Sequence, residues 1–70
     1  MSEYKVKYVF TTVSKNSRIN ARIGTIGLSS EMTPEELIKD PDLISSLTLY
    51  SEAQLKKKVI MLNVESIIKV

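Results

Sequence analysis

Seventy residues make one domain, 1–70, and leave no room for a second core. A chain this short buries only about 60% of its unfolded surface, and small domains compensate with disulfides, metals or oligomerisation. Cysteine and histidine are both absent, which removes disulfides, the usual transition-metal ligands, the commonest general base and the thiol nucleophile together. Packing or self-association is what remains.

The longest apolar run, Val59 to Leu62, falls far short of the roughly 20 residues a bilayer span needs. Met1-Ser2-Glu3-Tyr4-Lys5 lacks the apolar stretch of a secretory signal. The expectation is a cytoplasmic, reducing setting with no membrane partner. The net charge of +2 hides a segregated pattern. Lys5, Lys7, Lys15, Arg18 and Arg22 outweigh Glu3 in residues 1–29. Glu31, Glu35, Glu36, Asp40, Asp42 and Glu52 then outweigh Lys39 up to residue 54, and Lys56, Lys57, Lys58 and Lys69 outweigh Glu65 beyond it. A basic–acidic–basic order steers charged partners or lets one copy attract another; solvated faces of separate elements give the same pattern.

The first element is a strand from Tyr4 to Val13. Tyr4, Val6, Tyr8 and Phe10 alternate with Lys5 and Lys7, the period of a sheet with one wet face. Ser14 to Arg18 is a polar turn in which Asn16 takes a left-handed conformation most cheaply. Ile19 to Leu28 returns as a second strand. Its apolar parity switches between Ile23 and Ile26, and Gly24 lies at the switch, so a β-bulge is expected there. The other explanation is that both strands are buried on two faces, which requires a partner subunit.

Thr33-Pro34-Glu35-Glu36 carries the clearest local signal. Threonine at the N-cap, proline at the first helical position and glutamate at the third form a capping box. Met32 and Leu37 are placed for a hydrophobic staple. Asp40-Pro41 ends this helix by Lys39 and caps a second one. Leu43, Ile44, Leu47, Tyr50, Ala53 and Gln54 approximate one helical face. Ser45, Ser46 and Thr48 are weak helix formers, so Leu47–Tyr50 is open between helix and extended chain. Lys56-Lys57-Lys58 suits a helix C-terminus near Lys57.

Val59 to Val70 reads as the last strand, with Ile60, Leu62, Val64, Ile68 and Val70 along one face. Such an apolar strand must be paired. The expected fold is α+β in the order β-β-α-α-β. It has a small antiparallel or mixed sheet, made of the hairpin and the C-terminal strand, with the helices on one face.

Chemistry is sparse. Most carboxylates lie in the capping segments, and Asp40-Pro41-Asp42 is explained as a helix start and is too short for a calcium loop. Gly24-Thr25-Ile26-Gly27 is neither a dinucleotide fingerprint nor a P-loop. No catalytic, cofactor or metal residue is expected, and no motif points to a particular family. A non-enzymatic binding module acting through protein–protein contact, as a homo-oligomer, is the favoured expectation. Its self-association edge is assigned to Val59, Met61 and Ile67, on the grounds that so small a core needs additional cover. A host or other partner protein is the further candidate, as would suit an effector encoded by a phage or mobile element. The alternative is weak, sequence-tolerant nucleic-acid binding by a basic hairpin, with Lys15 and Arg18 at its tip and Lys5, Lys7 and Arg22 sharing its wet face. Tyr4, Tyr8 and Phe10 fall on the face opposite Lys5 and Lys7, which argues against a base-stacking platform.

Overall fold

The computed structural model describes residues 1–70 as one three-stranded antiparallel sheet and two helices. The elements are β1 (Ser2–Val13), β2 (Ile19–Ser30), α1 (Pro34–Ile38), α2 (Pro41–Leu55) and β3 (Lys58–Lys69). The strand order is β2-β1-β3, so the α+β class and the β-β-α-α-β order are as the sequence predicts. No helix is long and apolar enough to cross a membrane.

The core is built on β1, the central strand. Its alternation places Tyr4, Val6, Tyr8, Phe10 and Thr12 under the helices, and all five are buried. Leu37 from α1, Leu43 and Leu47 from α2, and Val59 from β3 complete the buried apolar cluster. Tyr8 and Phe10 stack with ring centroids 5.6 Å apart. The Tyr4 hydroxyl donates to the Met32 carbonyl at 2.9 Å, and the Ser51 hydroxyl donates to the Tyr8 hydroxyl at 3.4 Å. Polar ends of buried rings usually find partners in this way.

Thr12 breaks that pattern. It is fully buried and its Oγ1 has no hydrogen-bond partner. A buried hydroxyl without a partner keeps its desolvation cost uncompensated. Thr12→Val, which keeps the shape and removes the hydroxyl, should raise stability by about 1 kcal/mol. Chemical denaturation of the two proteins checks this through a higher midpoint at unchanged slope.

The capping box of α1 is complete. The Thr33 hydroxyl oxygen accepts from the Glu36 backbone N–H at 3.3 Å, and the Glu36 carboxylate accepts from the Thr33 N–H at 3.1 Å. The backbone N–H and then the hydroxyl of Thr33 hold the Glu36 carboxyl below its ordinary range. A depressed carboxyl stabilises the folded state above the ordinary glutamate range, and this stabilisation is lost as pH falls through the lowered value. In α2, Asp40 accepts from the Asp42 N–H at 3.1 Å and Pro41 occupies the first turn. The helix runs through Leu47–Tyr50, the stretch whose propensities conflict. Leu43, Leu47 and Ser51 recur at four-residue spacing and are buried together, so packing outweighs the weak propensity of Ser45, Ser46 and Thr48. Lys56 ends the helix in a left-handed conformation, φ 53°.

Three local expectations are corrected. The left-handed turn residue is Ser17, φ 62°, and not Asn16; Asn16 instead accepts a hydrogen bond from the Ser14 hydroxyl through its side chain. The β1–β2 register runs unbroken from Ser2↔Ser30 to Val13↔Ile19, so there is no bulge at Gly24. The irregularities lie between β1 and β3, at Lys7/Tyr8 and Thr11/Thr12, where Glu65 and Ile60 are the extra residues. Each bulge reverses the facing of the residues beyond it. Val59, Leu62, Val64 and Ile67 therefore face the helices, because they pair with Thr12, Phe10, Tyr8 and Val6. Ile60, Ile68 and Val70, expected beside Leu62 and Val64, are 50%, 60% and 80% exposed.

Candidate functional site

With β1 in the middle, β2 and β3 are both edges, and they are protected differently. β3 carries two bulges and the charged residues Lys58, Glu65 and Lys69. Bulges and charges are the usual means of blunting an edge. β2 is twelve residues long, unbulged, free of proline, and charged only at Arg22. By those criteria β2 is the less guarded edge, with Arg22 as its one charge.

Apolar surface flanks this edge on both sides. Directly opposed residues of an antiparallel pair share a face, so Ile26 and Leu28, opposite Val6 and Tyr4, lie on the helix side. Here the helices leave a groove of about 790 Å3, with Ile26 and Leu28 along β2 and Leu43, Leu47 and Tyr50 along α2. On the bare side of the sheet, Ile23 and Ile19 oppose Val9 and Val13. Ile19 and Ile23 are 66% and 67% exposed. The parity switch within β2 is thus a strand apolar on both faces. No bulge produces it, and its bare-face members Ile19 and Ile23 are exposed rather than buried.

The molecule is poorly covered as a whole. It exposes 5004 Å2, against about 4,400 Å2 for a typical folded monomer of its mass. Its radius of gyration is 12.7 Å, where about 11 Å is usual for this length. Ten large apolar side chains are exposed and eight are buried, so the apolar surface in water is out of proportion to the core.

The charges separate along the 43 Å long axis. Glu31, Glu35, Glu36, Asp40 and Asp42 gather where β2 ends and both helices begin. Lys15 and Arg18 in the β1–β2 turn, with Lys56, Lys57 and Lys58 between α2 and β3, occupy the other end. The one ion pair is Lys7–Glu65, at 3.9 Å on the bare face.

The residues singled out in the sequence divide accordingly. Lys5 and Lys7 do share the bare face, but Arg22 opposes Phe10 and lies on the helix side, with its Nε buried and unpartnered. The three cations therefore do not form one surface. Of Val59, Met61 and Ile67, Val59 is in the core and Ile67 packs partly against it; only Met61, 61% exposed, presents its side chain to solvent. The two-sided apolar character of Ile19–Leu28 is legible in its parity switch, but the sequence assigns the association edge to β3 rather than to β2. Sequence reasoning also missed the meeting of Lys15 with Lys56–Lys58, which are too far apart in the chain for any local pattern to join. No three acidic side chains converge as metal ligands would. Asp40, one of the two carboxylates at the groove's end, is committed to capping α2.

Comparison with known proteins gives no match: no protein-family model, no curated protein and no solved structure matches this chain.

Proposed function

We propose that the chain is a non-enzymatic, self-associating protein-binding module that pairs through the free edge of β2. The carrying observation is the long, unbulged β2 edge, charged only at Arg22, with apolar surface on both of its faces. Antiparallel pairing of two β2 edges about a two-fold axis makes a continuous six-stranded sheet. It satisfies the outward-facing backbone groups of both strands and leaves only the guarded β3 edges outside. The same pairing lays the basic end of one copy beside the acidic end of the other, so charge separation along the long axis favours it. It also sets Arg22 of one copy beside the groove that ends at Asp40 and Asp42 of its partner. A reducing cytoplasmic setting suits a chain without cysteine, and the bare sheet face is left for a host or other protein.

The test is mass in solution by light scattering, which should give twice the 7.9 kDa of the chain. Thr25 and Ile23 lie near the middle of β2, on the bare face and outside the core. In the double variant Ile23→Lys/Thr25→Lys, lysines from the two copies meet near the axis. Like charges placed opposite each other across paired strands are destabilising. The variant should keep the wild-type circular dichroism spectrum and sediment as a single chain. A wild-type protein that stays monomeric at high micromolar concentration would overturn the proposal.

A further inference from the structure

Apart from the β2 edge, the basic end of the molecule forms a built concavity. Two turns meet there that are distant in sequence. The β1–β2 turn supplies Val13, Ser14 and Lys15, and the α2–β3 turn supplies Lys56, Lys57 and Lys58. The register Val13↔Lys58 holds the two turns together, and the left-handed Lys56 turns the chain out of α2 directly into β3. The space between them is about 540 Å3. Four of its six lining residues are lysines, and none of these makes an ion pair. The carboxylate nearest in sequence, Glu52, is turned to the β3 backbone, where it accepts from the Val59 N–H at 3.0 Å.

Four lysines around one concavity give it a local positive potential that attracts an anion. We infer that this lysine cradle binds the phosphate backbone of a nucleic acid. Several features favour that ligand. Lysines act as point charges that need no fixed geometry from the ligand, which suits successive phosphates. No aromatic ring lines the concavity, so bases are not stacked and binding is independent of sequence. The cradle's Lys56–Lys58 half lies on the β3 side of the sheet, across β1 from the β2 edge. A β2-paired dimer therefore leaves both of its cradles open, one at each end. This site differs from the basic hairpin expected from the sequence. It keeps Lys15, excludes the bare-face Lys5 and Lys7, and recruits Lys56, Lys57 and Lys58.

The experiment is fluorescence anisotropy of labelled single- and double-stranded oligonucleotides against the intact protein over a range of salt. Four phosphate contacts on a duplex predict that affinity falls about 100-fold between roughly 50 and 200 mM salt. Lys15→Glu/Lys58→Glu should weaken binding about 10-fold or more and lower the salt slope by about 2. The charge-matched control Lys5→Glu/Lys7→Glu, on the bare face, should bind nearly as wild type. Circular dichroism shows that each variant is folded, and Lys15→Gln serves as a milder replacement should the double variant misfold. Any of several results overturns the inference: neither oligonucleotide binds at low salt, the control loses as much affinity as the cradle variant, or polyglutamate competes as well as unlabelled oligonucleotide. The last would make the ligand an acidic protein. Pyrophosphate that displaces the oligonucleotide at equal phosphate concentration would make it a small anion, and that too sinks the nucleic-acid assignment. The mass of the wild-type protein bears on none of these outcomes, so failure here and failure of β2 pairing are separate.

Discussion

Replacing Gly24 with alanine should destabilise the protein by about 2–3 kcal/mol, whereas the same change at Gly27, three residues along the strand, should be neutral or slightly stabilising. Gly24 opposes Tyr8 on the helix side, and the Tyr8 ring lies across it. An added methyl would sit 2.3 Å from Cζ and 2.5 Å from the hydroxyl oxygen. A ring end is the movable part of a tyrosine, but this one is only 3% exposed. It is also stacked on Phe10 and hydrogen-bonded to Ser51. Moving it therefore disturbs α2 as well as the sheet, as overpacking in a dense interior does. Gly27 faces the opposite way, and nothing lies within 4 Å of where its methyl would go. Neither glycine has a positive φ, so strain does not enter at either site. Losing glycine's freedom in the unfolded chain should stabilise Gly27→Ala by about 0.5 kcal/mol. Equal effects in urea unfolding would show that the Tyr8 contact is not what requires glycine at residue 24.

Leu47→Ala is expected to remove a large share of the protein's stability. Leu47 is 1% exposed and sits midway along α2 above the sheet. Removing three of its four side-chain carbons costs transfer energy and leaves a cavity, about 2–5 kcal/mol in all. A domain of this size has only about 4–10 kcal/mol in total. The variant should thus lose much of its thermal transition, while Leu49→Ala, 67% exposed on the same helix, should change little. If wild-type stability includes association, both transitions shift with protein concentration, so the comparison is made at one concentration. A Leu47→Ala protein that melts within a few degrees of wild type would show that α2 is not what covers β1.

Features set by neighbours in the chain are legible in the sequence alone. The capping box at Thr33 and Glu36 depends on a three-residue spacing, and the burial of Tyr4, Val6, Tyr8 and Phe10 on strict alternation, so both stand in the fold as expected. The facing of β3 is not legible in this way, because Glu65 and Ile60 become extra residues only through the strand they pair with. Arg22 fails for the same reason in reverse. An assumed bulge at Gly24 would have put it with Lys5 and Lys7, and the unbroken register puts it opposite Phe10. Leu47–Tyr50 shows packing overriding propensity. The lysine cradle needs the Val13↔Lys58 pairing, a contact between residues distant in the chain that no windowed pattern reports.

The position of β1 has a kinetic consequence. One of its edges is met by the next strand in the chain across a short turn, and the other by the last strand. Hairpins close in about 1–10 μs, but the second pairing must wait for a much longer loop to shut, and such non-local contacts slow folding. The hairpin thus forms while half of its central strand is still bare. Arrival of the C-terminal segment then both completes the layer under α1 and α2 and ends the period in which a nascent chain is most open to mispairing with its neighbours.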